Sequence, residues 1–550
     1  MRFPYRGRAP QMLLCVAVSW MTACAALAQS TVPVATPLTQ ADAVRLLEQS
    51  TFGPNQALID HTMAVGLLGF LNEQFTSPPS QYPPLKYVPA GQQATFCAAD
   101  PDPHCGRDYY TMFLVQNAFF QNALNGNDQL RQRVAFALSQ ILVTSGVSIH
   151  EAYAMARYQQ IFLDNAFGNY EDILNKVTLS PVMGDYLNMA DNDKAAGAVN
   201  PNENYAREIL QLFSIGVWEL NKDGSQLLDA NGQPIPTYAQ AAIEGFANLF
   251  TGWTYPALPG TTSRNHNPKN YLAPMVAVQV DHDTGAKLLL DGFVEPAGYS
   301  AQVDVTNAIH DIFTNPNVGP FICKQLIQKL VTGDPSPQYV TRVNVAFDNN
   351  GQGVRGDLKA VITAILTDPE ARGSVKTDPD YGKLREPVLF MTGLARALNS
   401  KSDGVYFGQQ SAALGQDLFN PASVFNYYPP NYVVPGTTVF GPEFALQNSS
   451  TTINRYNFGN TLAFGTIAPL STLPGAIGTT PDWTALQAVA GDATALLGQL
   501  NTLLLHGTMS PAMSAAIVPA INAISASNPL ARAKTAFYLV ATSPQYQVER

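Results

Sequence analysis

Apolar residues recur at helical spacing in segment after segment of this chain, and each such stripe must be covered by another element. Leu130, Val134, Ala137, Leu138 and Ile141 fall on one face of a helix expected over Leu130–Val143. The same period predicts helices over Gln56–Phe75, Tyr109–Leu124, Arg157–Phe167, Tyr170–Thr178, Glu203–Val217 and Tyr238–Phe250. It continues through Val303–Thr314, Phe321–Val331, Tyr339–Phe347, Asp357–Leu366 and Glu386–Leu398, and three closing helices lie around Asp482–Leu504, Ser510–Ile524 and Pro529–Thr542. Thr39 followed by Asp42 opens the first helix, and Thr51-Phe52-Gly53-Pro54 ends it. Strand signals reduce to one small hairpin, Ser225–Ala230, bracketed by Asp223-Gly224 and Asn231-Gly232. Pro78–Pro103, rich in Pro and Gln, reads as a loop or an excursion held by a disulfide, and Gln409–Asn448, dense in Pro, Asn and aromatics, as an ordered irregular wrap over a helical body. The expected fold class is therefore mainly α, a large multi-helix, bundle-like domain with irregular wraps. At 550 residues the chain exceeds one typical domain of about 100–200, so residues 41–550 read either as a single helical region or as two lobes, 41–255 and 281–550.

Charge narrows the function classes. Only 13% of residues are charged, about half the roughly 25% usual for soluble chains, which excludes a disordered or coiled-coil chain. The formal net charge of −10 offers no basic footprint, so nucleic acid is not an expected partner. Arginines up to Arg8, an apolar run Met12–Ala23 and Ala26-Leu27-Ala28 form the three-part pattern of a signal peptide over residues 1–28, followed by an extended tail, 29–40. The run is short of the ~20 residues that span a bilayer, and no later stretch approaches that length, so a secreted or periplasmic mature chain without a transmembrane span is expected. Lipid anchoring at Cys24, after Met21-Thr22-Ala23, is the alternative. With Cys15 and Cys24 in the leader, Cys97 and Cys105 flank a bendable Pro- and Asp-rich loop and are expected to form a disulfide in an oxidising compartment. A metal site from Cys97, His104 and Cys105 lacks a fourth ligand at zinc spacing, and Cys323 reads as core.

Familiar catalytic motifs are missing. His150-Glu151 is followed by Ala154 where a second metalloprotease histidine would stand, and no G-x-S-x-G occurs. Gly351-Gln352-Gly353-Val354-Arg355-Gly356 reads as a turn between helices, with Asp357 as an N-cap, because no parallel βαβ succession surrounds it. Polar chemistry concentrates in Asn202–Phe213, where Glu203, Asn204, Arg207, Glu208 and Gln211 share one face and Tyr205, Ile209, Leu212 and Phe213 the other. That face is either a solvated surface with a Glu203–Arg207 ion pair or one wall of a cleft able to hold a divalent metal or a polar substrate. Gly252 ends a helix and turns Trp253 back onto the structure, as core or as a stacking platform. Asp281-His282-Asp283-Thr284-Gly285-Ala286-Lys287 is either a polar turn or a base with its orienting carboxylate.

Asn202–Glu208, then Phe250-Thr251-Gly252-Trp253, then His282-Asp283 with Gly285 and Lys287 are similar to successive hallmarks of the bacterial domain of unknown function 1800 family (DUF1800). Asn315-Pro316, Lys383-x-Arg385-Glu386-Pro387, Leu414-Gly415-Gln416, Ser423–Pro430 and Ser543-Pro544-Gln545-Tyr546 resemble its later blocks in the same order, over about Ala41–Arg550. Asp223–Pro236 and Thr261–Val280 look like insertions. The resemblance implies helical architecture and bacterial export, hints at an exported partner protein, and supplies no catalytic assignment. Two functions stay open. One is an exported, metal-assisted enzyme acting on an envelope or extracellular polymer, with Glu203, Glu208, His282 and Asp283 as acid, base or ligands, Arg207 and Lys287 as anion clamps, Asn202 and Asn204 as substrate-binding amides, and Trp253 as a stacking surface. The other is a non-catalytic envelope or secretion factor whose wrap, Phe419–Tyr432, docks a partner protein or a glycan.

Overall fold

The computed structural model describes residues 38–374, 378 and 380–550. The leader, Cys24 and the tail up to residue 37 lie outside the described residues. Twenty-four helices, against strands only two residues long, make the described chain mainly α. Local chemistry explains most helix starts. Thr39 caps Gln40–Ser50 by accepting the amide of Asp42 at 3.1 Å, and Asn55 caps Gln56–Thr76 by accepting that of Leu58 at 2.9 Å. Asp357 caps Leu358–Thr367 through the amide of Ala360, and the preceding glycine-rich stretch is a turn closed on the Asn349 side chain.

Several elements differ from their expected lengths. Gln56–Thr76 breaks at Gly66 (φ 73°), so its apolar positions do not form one continuous stripe. Asn204–Gln211 is shorter than the expected Glu203–Val217, because after Leu212 the chain turns and the amides of Ile215 and Gly216 bond back to the carbonyl of Leu210. Asp482–Leu504 divides into Thr484–Val489 and Ala493–Leu505, the latter capped by Asp492. The two Gly turns at 223–224 and 231–232 do not bracket a lone hairpin. They join three segments in a meander, in which Leu227 bonds to Glu219 and Ile235 to Leu227.

Residues 38–550 pack as one unit. Its centre is built where Gln129–Ser139 meets Ala152–Asn165 and Val318–Leu330, with Phe113–Asn125 and Pro387–Ala397 beside them. The wrap after Ala413 is irregular, and its aromatics are divided: Phe419 and Tyr428 are buried, while Phe425 is 56% exposed. Cys97 and Cys105 are joined as a disulfide, which leaves neither thiol for a metal, and Cys323 is a buried free thiol.

A buried ionic centre lies where the later sequence blocks converge. Glu386 accepts from Gln416 (2.5 Å), Tyr428 (3.0 Å) and Gln140 (3.2 Å), while Gln140 accepts from the Lys329 ammonium at 3.1 Å. Lys383 lies 3.3 Å from Glu443, and Arg385 bonds Glu48, which also meets His506. All of these groups are enclosed, so their physical role is to fix the wrap and the C-terminal segment on the helical body.

Candidate functional site

The loop between the helices Pro181–Tyr186 and Asn204–Gln211 ties together the polar segments singled out from the sequence. Asn192 is its hinge pin. The Asn192 side chain accepts the amide of Asn202 at 2.8 Å and donates to the Asn202 carbonyl at 3.3 Å, while its own carbonyl accepts the amide of Gly252 at 2.8 Å. Gly252 (φ 76°) then lies flat against His282: a Cβ there would sit 2.7 Å from the His282 amide nitrogen. Only glycine satisfies both the positive φ and that approach. Asp191 and Lys194 complete the stitching, their amides bonding to the carbonyls of Trp253 (2.7 Å) and Asp281 (2.8 Å).

On the Asn204–Gln211 helix, Asn202 turns the chain by accepting the amide of Asn204 at 2.9 Å. Glu203 accepts from Arg207 at 2.8 Å and from Gln240 at 3.0 Å, forming a half-exposed surface pair, and Asn204 donates to Asn188 at 2.8 Å. Glu208 differs from its neighbours. One of its carboxylate oxygens is shielded from solvent and has no hydrogen-bond partner. Burial holds this carboxyl above the ordinary carboxylate range, and the positive charge of Arg207 offsets part of that effect. Burial raises the Tyr186 and Tyr238 phenols to about 12, and the Glu208 charge adds to each rise.

The second polar segment forms a separate, enclosed network. His282 is 1% exposed, with Nδ1 2.9 Å from the Thr251 carbonyl and Nε2 3.0 Å from Asp304. Both ring nitrogens of His282 are thereby engaged inside the protein. Lys287 donates to Asp304 at 2.8 Å and to the carbonyls of Asp283 (2.7 Å) and Gly285 (2.9 Å). Asp283 receives the amide of Gly285 at 2.8 Å and gives its own amide to Thr251. Glu203 and His282 thus belong to different hydrogen-bond networks, tied to each other through the Asn192 side chain and backbone. The His282 and Lys287 side chains are both buried. Trp253, weighed as a stacking surface, is a core residue at 2% exposure, because the turn at Gly252 drives it inward. Asp304 went unnoticed in the sequence, although its register with Ala301, Val305 and Ala308 on the Ala301–Thr314 helix placed a lone carboxylate on a buried face.

A third cluster faces solvent beside this network. Ligand atoms of Asp193, His266 and Asp281 all lie within 4.8 Å of one another, with His266 Nε2 3.0 Å from Asp193. The Asp193 hydrogen bond, with the charges of Asp191 and Asp281 adding, holds the His266 imidazole above its ordinary range. Asp191 accepts the Thr254 hydroxyl at 2.6 Å, and burial raises its carboxyl. Among the described residues, Asp193, His266 and Asp281 form a group that could hold a cation. Sequence reading passed over His266 because it lies in Thr261–Val280, a segment that looked like an insertion, and over Asp193 because its partners are more than seventy positions away.

No curated protein and no solved structure matches this chain. A family model described as protein of unknown function (DUF1800) matches residues 45–548, nearly the whole length that carries the segments above. The chain belongs to that family.

Proposed function

We propose that this chain is an exported enzyme that acts on an envelope or extracellular polymer with the help of a divalent cation, and that Glu208 is its proton donor. The observation that supports this is the Glu208 carboxyl: half-buried, with one oxygen unpaired, held protonated to higher pH than an ordinary glutamate, and next to the guanidinium of Arg207. A general acid needs that combination of a retained proton and a group free to deliver it. Glu203, Arg207, Gln240 and Asn204 present a polar surface around it that binds substrate hydroxyls or anionic groups. Asn202 fixes the helix start, and His282, Asp283 and Lys287 act as positioning residues that hold the 281–287 segment. Export rests on the pattern of residues 1–28, and among the described residues no helix is long and apolar enough to cross a membrane.

The second reading, a non-catalytic factor that docks a protein or glycan through the wrap, draws on the exposure of Phe425. One experiment separates the two. The chain from residue 29 is incubated with isolated envelope polysaccharide and peptidoglycan, and released fragments are measured for the natural sequence and for Glu208→Gln. Fragment release that Glu208→Gln abolishes supports the enzyme. Retention on the polymer without release, lost in Phe425→Ala and unchanged in Glu208→Gln, supports the binding factor.

A further inference from the structure

The cluster of Asp193, His266 and Asp281 differs from an ordinary surface ion pair in how its members are held. Asp281 is fixed from two sides, its amide bonding to the Val278 carbonyl at 3.0 Å and its carbonyl receiving the amide of Lys194 at 2.8 Å. That second bond places the neighbouring Asp193. His266 is set by the residue after it: buried Asn267 donates to the Tyr255 carbonyl at 2.8 Å, accepts the amide of Arg264 at 2.9 Å, and gives its own amide to the Thr254 hydroxyl at 2.9 Å. The same hydroxyl donates to Asp191. The buried Thr254 and Asn267 therefore hold the segments that carry Asp193 and His266, and the Lys194 amide ties the Asp281 segment to the first of them. An exposed ion pair requires no frame of this kind, whereas a metal site requires ligands oriented by the groups behind them.

Charge and donor type point the same way. Asp191, Asp193 and Asp281 surround one imidazole, and the nearby Lys269 is paired with Asp185 instead. One Asp281 oxygen is shielded from solvent without a hydrogen-bond partner. Nitrogen with carboxylate oxygen is a donor set for zinc or manganese, since magnesium and calcium take oxygen alone. Ligand atoms ~2.0–2.1 Å from a tetrahedral zinc stand about 3.3 Å apart. The 3.0 Å His266–Asp193 separation already matches that spacing, and the 4.8 Å limit on the set closes by side-chain rotation of the exposed pair.

We infer that Asp193, His266 and Asp281 form a binding site for one divalent transition cation of the zinc or manganese class. This names the cation of the reaction proposed above and rests on that reading for its use; binding itself is independent of turnover.

The test is calorimetric titration of the chain from residue 29, stripped with chelator, with Zn²⁺ and Mn²⁺, and with Mg²⁺ and Ca²⁺ for contrast. Expected are one Zn²⁺ or Mn²⁺ per chain, affinity at least about tenfold lower in His266→Ala and in Asp193→Asn, and unchanged binding in Glu208→Gln. Circular dichroism and thermal unfolding of both variants, whose altered side chains are exposed, confirm that they fold. Saturating metal on a chain without polymer-degrading activity would sink the function proposed above and leave this site standing. No Zn²⁺ or Mn²⁺ bound at millimolar concentration, or binding equal to the natural sequence in folded His266→Ala and Asp193→Asn, would overturn it.

Discussion

Asp304 is the group on which the enclosed network turns, and its removal gives the sharpest stability prediction. Its side chain is wholly buried, and one oxygen receives both the Lys287 ammonium at 2.8 Å and His282 Nε2 at 3.0 Å. Asp304→Leu leaves two buried donors facing a hydrocarbon, and breaking a buried ion pair from one side costs about 3–5 kcal/mol. Unfolding entropy of about 2.1 cal/mol/K per residue gives roughly 1.1 kcal/mol/K for a unit of about 510 residues, so Tm should fall by about 3–5 °C. Differential scanning calorimetry measures the shift. Adding Lys287→Met to Asp304→Leu removes one orphaned charge, so the double variant should lose less than the two single losses combined, with a coupling of about 1–3 kcal/mol. A Tm for Asp304→Leu within about 1 °C of the natural sequence, or strictly additive losses, would refute the reasoning, since neither is compatible with a buried carboxylate that holds two buried donors.

Three further outcomes follow from other groups. Burial raises the Glu208 carboxyl, so the folded chain holds that proton more tightly than the unfolded one; stability tied to it is full below the ordinary glutamate range and is lost as pH rises through the raised value. Glu208→Gln should therefore stabilise the chain at pH 7 and make no difference near pH 3.5, as read by urea unfolding at both pH values. Lys329 faces Glu386, Glu443, Lys383 and Arg133, and burial pushes its ammonium down to about 8. Between there and its ordinary value near ~10.4 the unfolded chain binds more protons, so stability rises with pH over about 8 to 10, and Lys329→Met should flatten that rise. The Cys97–Cys105 link closes a short loop, worth about 2.5 kcal/mol by chain entropy, so Cys97→Ser with Cys105→Ser should lower stability by that order and expose residues 93–109 to limited proteolysis.

The helical architecture was legible because its signals are local. Thr39 and Asp357 announce helices through side chains that reach amides three residues on, within any sequence window. The glycine turn at 351–356 was read as a turn for the same reason. What escaped was set by distance along the chain. The Glu203–Arg207 pair is one helical turn long and was visible, whereas Asp304 meets His282 across twenty-two positions and Asp193 meets His266 across seventy-three. Lys383, Glu386, Gln416, Asn426 and Tyr428 could be recognised as successive blocks, but nothing local says that Gln140 and Lys329 would be brought among them. The Asn204–Gln211 helix ends early because of backbone bonds after Leu212, which apolar spacing does not encode. Trp253 shows the converse: its setting after Gly252 was legible, but whether the turn would aim the ring outward or inward depended on the close approach of His282.

The claim that a retained proton on Glu208 drives polymer cleavage is tested most directly by the pH profile of fragment release. For the natural sequence, release from isolated envelope polymer should persist to higher pH than an ordinary glutamate would stay protonated, and then fall. Glu208→Gln should lower release by at least about a hundredfold at the pH of maximal release while remaining folded, as circular dichroism reads. Release by Glu208→Gln equal to that of the natural sequence at the pH of its maximal release would contradict the account.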